Sequence, residues 1–572
     1  MTKTQFEPVL DPRGTQKRHV IELAPRPSLE TLRKGPVLFY DNTKLGFCNY
    51  MEVFRRIKEN LTGNGITNFV DVRETVRGKD TQDLKGLAGK LASYGPAAAV
   101  LALGDMGTSP ATAILAIALE ESGVPTLYIT APPGTELVKA VAFYRAGRLC
   151  TSSIDMYQGS SVEEIRNTVD QQMGGILEAL TLPPDRIGER AAVDFDLDAA
   201  PPAEDGFLKE VHGITLDPTD LLQPAAGIEE ITDLFNELHL GDGFPVVPPT
   251  MTRLERMTAY CPWALDKILA EEIGPSGRDI TVRDVAVAAV MAGCKPKAMP
   301  ILVTAFTAMA DKRYNFLQSV TTSHPGGNLV LVSGPLAREI GLHGQAGCLG
   351  PGFPANATIG RAVNLVIINA CRSVPGFSDL ACISSQAELT YCFGEDPTIT
   401  PWQTINAERY EDSTTTVYML KAEPPHDIID FLSMTAGDLL DGLVDCATTL
   451  GSNNAFMPGP LVFVMTRDHA WLLNRDGWDK ERIREHIHTH AFHQVPMLRG
   501  RGLVPVRPAG FAQRHPMPVT RSPRDVEIVV AGGRGGHSAV ILPWALHSEA
   551  VVLPVLLPDG RVARNMDEFA RR

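Results

Sequence analysis

Apolar and polar positions keep two rhythms along the first third of the chain. Short apolar runs at 36–40 (PVLFY), 69–72, 97–103 (AAAVLAL) and 124–129 read as strands. Between them, residues 47–61, 81–93, 109–121 and 136–146 space their apolar side chains at the period of a helix. The run at 97–103 has no polar position, as expected of a central parallel strand covered on both faces. Ser109 is a fitting N-cap, with Pro110 at the first helical position. Strand and helix alternating four times predict a doubly wound parallel α/β sheet, and 161–179 adds one more helix.

The rhythm breaks at 184–227, a stretch rich in Pro, Asp and Ala that reads as a linker. From 228 onward helices (281–292, 301–310, 359–369, 438–450, 479–492) mix with short strands (329–332, 461–465, 526–530) between long Gly/Pro loops. The expected organisation is an arm over 1–34, a doubly wound domain over 35–183, the linker, and a larger mixed α/β or α+β domain over 228–572. No internal repeat is evident in the sequence.

Composition narrows the class without naming a reaction. The 572 residues are 44% hydrophobic and 21% charged, which excludes a disordered, collagenous or coiled-coil chain. The 43 prolines exceed the average of about 5% and predict long loops. A net charge of −14 without a basic stripe argues against nucleic acid as a partner, because neutralising phosphates needs clustered Lys and Arg. No apolar run reaches the roughly 18 residues of a spanning helix, and the first 14 residues hold no apolar h-region, so a secretion leader is not expected. Nine scattered cysteines without a CxxC fit reduced thiols. The expectation is a cytoplasmic protein, with no membrane partner and a homo-oligomeric state.

Ligands of open α/β sheets sit at the carboxyl ends of the strands. Two loops stand there. Asp41, Asn42 and Lys44 follow the first strand, and Asp105, Gly107, Thr108 and Ser109 lie in the Gly-rich turn after the third. That turn opens a helix, whose N-terminal N–H groups favour an anion. Asp105 would alternatively cap the helix or hold a cation. The absence of GxxxxGK[ST] argues against ATP.

DNxK after the first strand, the Gly-rich turn after the third, and LExxGVPT (Leu119, Glu120, Gly123–Thr126) together resemble the UGSC family over residues 35–150. That family is named for a selenocysteine/cysteine-Gly-Ser-Cys motif in this turn, so the resemblance implies thiol or selenol chemistry. Here the motif reads Met106-Gly107-Thr108-Ser109. A thioether forms no thiolate, so the implied redox pair is replaced. Residues 239–402 also resemble the larger domain that accompanies this family. The matching segments include GDGFPVVPPT (241–250), TTSHPGGNLVLVSGP (321–335), LGPGFPANATIGRA (349–362) and GEDPTITPW (394–402).

Those segments concentrate polar groups among Gly and Pro, the composition of a catalytic loop. Cys294, at the end of an apolar helix, is a buried core thiol, a nucleophile or a ligand. His324, beside Thr321 and Thr322, is a candidate general base or ligand. His343 and Cys348 frame a second His/Cys pair. Asn356 and Arg361 flank a helix that Thr358 would cap, and Arg361 either clamps an anion or closes a salt bridge. Glu395 and Asp396 are adjacent carboxylates, which tend to point apart.

His486, His490 and His493 fall on one face of a predicted helix. Two imidazoles four apart can chelate a divalent transition metal, but the third lies ~10 Å along the axis from the first. His469 is a further possible ligand. Gly532–Ser538 follows a strand and would wrap an anion or form a surface turn.

Taken together, the sequence points to an enzyme acting on a small polar or anionic molecule in an interdomain cleft. Lyase, hydratase or hydrolase chemistry is favoured over thiol redox. Asp41, Asn42, Lys44 and the 104–109 turn would bind on one side. Cys294, His324, Arg361 and Glu395 would act on the other, aided by Thr321, Thr322 and Asn356. The alternatives are a metal-dependent enzyme or oxidoreductase built on the histidine helix, and a non-catalytic subunit.

Overall fold

The computed structural model describes residues 9–14, 19–46, 48–105, 107–132, 134–187, 192–194, 221–222, 228–455, 458–494, 517–544 and 548–571. The described residues between 37 and 181 form the α/β layer that the alternation predicts. Five parallel strands stand in the order Phe69–Arg73, Val37–Asp41, Ala98–Gly104, Thr126–Thr130, Arg148–Ser153, and Ala192–Asp194 adds an antiparallel edge. Alternate residues of each strand face opposite helix layers. Val37, Phe39, Ala98 and Val100 pack with helices Met51–Gly63 and Val162–Thr181. Leu38, Tyr40, Ala99 and Leu101 pack with Thr81–Ala92, Ser109–Glu121 and Gly134–Arg145. The helix Ser109–Glu121 starts where expected, but its cap is Thr108, whose side chain makes no capping bond.

The segment read as a simple arm does more. Val9 and Leu10 are buried in the core of the C-terminal region, while His19 and Ile21 bond along the end of helix Gly134–Arg145. Arg26 forks onto buried Glu120 at 2.7 and 2.8 Å. Most of the expected linker lies outside the described residues.

The C-terminal region is built of four layers, helices–sheet–sheet–helices. In the first sheet, Gly327–Ser333 lies between a parallel Cys392–Gly394 and an antiparallel Thr416–Ala422, and Val551–Pro554 takes the far edge. In the second, Leu461–Met465 lies between a parallel Val526–Val530 and an antiparallel His537–Ile541, and His426–Ile429 takes the far edge. The two sheets therefore repeat one connectivity that the sequence does not display. Each also lends its edge strand to the other. The chain leaves the first sheet at Lys421–Glu423 and returns at Leu542–Trp544, and these crossings bond to one another (Trp544 N to Lys421 O, 3.1 Å; Glu423 N to Leu542 O, 2.9 Å).

Leu329, Leu331, Tyr418 and Leu420 meet Val462, Val464 and Val529 between the sheets. On the outer face of the first sheet, Val330, Val332, Val417 and Met419 pack under helices Val282–Ala292, Met299–Met309 and Pro354–Asn369. The second sheet packs under Ala436–Ala447, Arg467–Arg475 and Lys480–His490. Leu317 of the C-terminal region enters the core of the N-terminal layer. Val374 joins Phe143 and Tyr144, and buried Arg145 donates to Glu272 O and Gly274 O. No helix among the described residues is long and apolar enough to cross a membrane.

Candidate functional site

Strand order reverses between Val37–Asp41 and Ala98–Gly104, so the two loops singled out in the sequence do stand at the switch point. Most of their side chains are occupied, however. Asn42 is wholly buried, takes Leu103 N–H and Lys44 N–H on Oδ1, and donates from Nδ2 to Leu103 O and Thr112 Oγ1. Asp41 caps Thr43 and Leu45 and pairs with Arg73 at 3.3 Å. Thr108 and Ser109 are buried. Lys44 and Asp105 remain at the surface of the turn and pair with each other at 3.2 Å. Asn42, Thr108 and Ser109 are thus parts of the scaffold rather than ligand contacts. Met106 lies outside the described residues.

The turn does face the C-terminal region: a side chain at Gly107 would meet Thr322 Oγ1 at 3.9 Å. Thr322 is itself a junction, accepting from His324 N–H (3.2 Å) and from the Trp544 indole (3.1 Å). Thr321 is buried without exposure. His324 Nε2 stands 3.5 Å from Glu423 Oε1. The interdomain seam also holds a cavity of about 390 Å³ between 78–82, 268–273 and 309–317. Lys312 on that seam already pairs with Asp80 (2.7 Å) and Asp83 (3.3 Å).

Four expectations on the C-terminal side need correction. Cys294 does not partner His324; its thiol donates to Thr358 O at 3.2 Å, and burial pushes it up to about 12, which leaves no thiolate at neutral pH. Arg361 is not free to clamp a ligand. It forks onto Asp242 at 2.6 and 2.7 Å and donates to Pro245 O at 3.0 Å. Asn356 is fully engaged in tying His343 and Cys348 together, and Thr358 lies inside its helix rather than at the cap. Glu395 is buried against Ser333 Oγ (2.5 Å) and Ile405 N–H (2.8 Å), and Asp396 turns away to Thr398 and Gln345.

The histidine face is also not assembled. The helix ends at His490, and His493 sits in a two-residue strand, bonded to Asn454 Oδ1 at 3.1 Å. His486 and His490 stack on one another. Among the described residues no three His, Cys, Asp or Glu side chains are grouped to hold a metal ion. His469 bonds Ser538 Oγ and Asp430 O. Past Gly532 the chain enters the strand His537–Ile541, with Arg534 held by Asp468 at 3.1 Å.

A cavity of about 450 Å³ lies on the outer face of the first sheet. Its floor is Asn328 and Lys421, directly opposite each other on neighbouring strands. The helix Pro354–Asn369 supplies Asn364. The loop 239–243 forms one wall and the segment 379–388, with Asp379, Ser384, Ser385 and Glu388, forms another. The Arg361–Asp242 fork therefore holds a wall of this cavity. The second wall is laced to the loop of His324: Cys382 N–H donates to Ser323 O (2.9 Å) and Ser385 Oγ to Pro325 O (2.7 Å). Ser384, which bonds Glu388, has φ +51°, a backbone conformation that costs a serine energy.

A polar relay ends in the cavity. Tyr314 Oη donates to Asn328 Oδ1 at 2.6 Å, and Asn328 Nδ2 donates to Asn364 Oδ1 at 3.0 Å. This fixes Asn364 with its amide nitrogen outward, and that buried nitrogen has no partner. Lys421 is only 5% exposed and closes no ion pair with Asp379 or Glu388. Burial lowers its pKa, and the two carboxylates oppose that only in part. Burial pushes Asp379 up to about 7, helped by Glu388. An amine and a carboxyl drawn toward neutral pH in one cavity can exchange protons with a bound molecule.

Sequence reasoning missed these residues. The signal was alternation. Lys421 follows Val417 and Met419, and Asn328 precedes Val330 and Val332, on faces that are otherwise apolar. No protein-family model, curated protein or solved structure matches this chain.

Proposed function

We propose that this chain is a cytoplasmic enzyme of lyase or hydratase type, acting on a small polar molecule held in the cavity above Asn328 and Lys421. One observation carries the reading: Lys421 and Asp379 line the same cavity, unpaired with each other, and burial draws both toward neutrality. In this role Lys421 takes a proton from carbon or oxygen, and Asp379 returns one to the leaving group. Asn364 Nδ2 donates to the oxygen that gains charge. The interdomain turn 104–109 abuts the Thr322 loop and would organise that side of the site rather than react. The thiol or selenol chemistry implied by the UGSC resemblance has no place in this reading.

The test is solvent exchange. Small hydroxy- and oxo-compounds are incubated with the protein in D2O, and deuterium at carbon is followed by NMR. Wash-in that falls about 10²–10⁴-fold in Lys421→Met and in Asp379→Asn is expected of a general acid–base pair. Wash-in that both variants retain would reject it.

A further inference from the structure

The acid–base reading leaves open what the cavity takes, and its polar groups narrow the answer. Every charged residue in its lining except Lys421 is a carboxylate. Asp242 is neutralised by Arg361, but Asp379 and Glu388 face the cavity without a cation bonded to them. Among the described residues no arginine lines it. A phosphate or dicarboxylate would meet two acids and one amine. A neutral polyol-like molecule would instead find acceptors for its hydroxyls in Asp379, in the second oxygen of Glu388, and in the hydroxyl oxygens of Ser384 and Ser385, whose protons already go to Glu388 and Pro325 O. The outward N–H of Asn364 asks for an oxygen acceptor. An enclosed primary amine with no ion-pair partner asks for an electrophilic carbon.

Resting on the proton-transfer reading above, we infer that the cavity binds a short neutral hydroxy-aldehyde or hydroxy-ketone and that Lys421 joins its carbonyl carbon as an imine. The Lys421 nitrogen lone pair adds to the carbonyl carbon, and the C=O π pair moves to oxygen. That oxygen collects a proton, with Asn364 Nδ2 donating a hydrogen bond to it. The added nitrogen loses one proton. Asp379 then protonates the carbinol hydroxyl, which leaves as water while the nitrogen lone pair forms the C=N bond. The balance is amine plus carbonyl plus the Asp379 proton giving iminium, water and the Asp379 carboxylate, with no change of oxidation state. The resulting iminium acidifies the neighbouring C–H, and because the Lys421 nitrogen is then held in the C=N bond, the carboxylate left at Asp379 takes that proton in its place.

The experiment uses the full chain with glycolaldehyde or dihydroxyacetone at neutral pH, in a short pulse with sodium borohydride. Intact mass and peptide mapping locate any reduced adduct. One adduct per chain at Lys421 is expected, formed faster than at the mean of the other lysines, since burial that lowers the pKa of an amine raises its free-base fraction. Lys421→Arg, checked for folding by circular dichroism, abolishes it, and Asp379→Asn slows it. Deuterium wash-in to the same probes is measured in parallel without borohydride. Wash-in without an adduct at Lys421 overturns the imine and leaves the proton-transfer reading standing. An adduct at Lys421 without wash-in supports the imine and rejects the proton-transfer role. Neither signal from either probe overturns both.

Discussion

Lys421 stands directly across an antiparallel strand pair from Asn328, at the end of a face whose other members are Val330, Val332, Val417 and Met419. A lysine there is an exception to the burial rule for charged residues and needs a reason beyond packing. The backbone adds one. Lys421 O accepts from Trp544 N–H, so this residue sits at the crossing where each sheet hands its edge strand to the other. The backbone from which the amine projects is therefore held by both sheets at once.

Tyr314→Phe is expected to destabilise the fold by about 1–3 kcal/mol, because Asn328 Oδ1 would lose its 2.6 Å donor in a buried place. Urea denaturation checks the magnitude. It should also weaken the orientation of Asn364, so any activity should fall further than the loss of stability alone would bring about. An effect below about 0.5 kcal/mol would mean that water satisfies Asn328 as well as the phenol does.

Arg361→Ala tests whether that arginine holds the cavity wall. Asp242 would be left nearly buried and unpaired, and truncating one partner of such a pair costs about 3–5 kcal/mol. A cycle with Asp242→Ala should return a coupling of about 0.5–3 kcal/mol. A stable Arg361→Ala protein that has merely lost activity would reinstate the substrate clamp.

Cys294 is expected to resist iodoacetamide in the native protein while Cys48 and Cys382, both exposed, are alkylated. Cys294→Ala should leave activity intact. Rapid labelling of Cys294 would restore the nucleophile that its sequence position suggested.

Much of the N-terminal layer was legible because parallel strands and their crossover helices are short-range units with strong periodicity. Residues 109–121 and 461–465 even match the observed bounds. The site was not legible, for two physical reasons. Polar residues crowded in Gly/Pro loops look catalytic, yet Asn42, Asn356 and Arg361 use their bonds to hold those loops. The cavity gathers residues 239, 328, 364, 379 and 421, whose meeting depends on non-local pairing that one strand's pattern does not encode. What the sequence did carry was a register anomaly, a lysine and an asparagine on otherwise apolar strand faces.

The paired pKa displacements predict a stability profile with two limbs. Folded Asp379 keeps its proton to about pH 7, whereas its ordinary value is 3.8. Between those values the native state binds more protons than the unfolded chain, so this group makes stability fall as pH rises from about 4 to 7. Lys421 acts in the opposite sense. Its folded pKa is lowered, so between that value and 10.5 the unfolded chain binds more protons and stability rises with pH. Other groups face the same cavity. Glu388 opposes the lowering at Lys421, and Asp242 stays paired with Arg361. His239 is lowered by burial and by Arg372, and it adds a rising slope below pH 6.5 that partly masks the Asp379 limb. Single variants are therefore required to separate them. Asp379→Asn should remove the falling limb and leave the His239 rise visible. Lys421→Met should flatten the alkaline limb and stabilise the protein at pH 7 by on the order of 1 kcal/mol, since an unpaired buried amine is replaced by an apolar chain. Urea titrations from pH 4 to 10 on the three proteins decide the matter. An Asp379→Asn profile parallel to wild type throughout would place that carboxyl in ordinary solvent and remove the proton donor from the site.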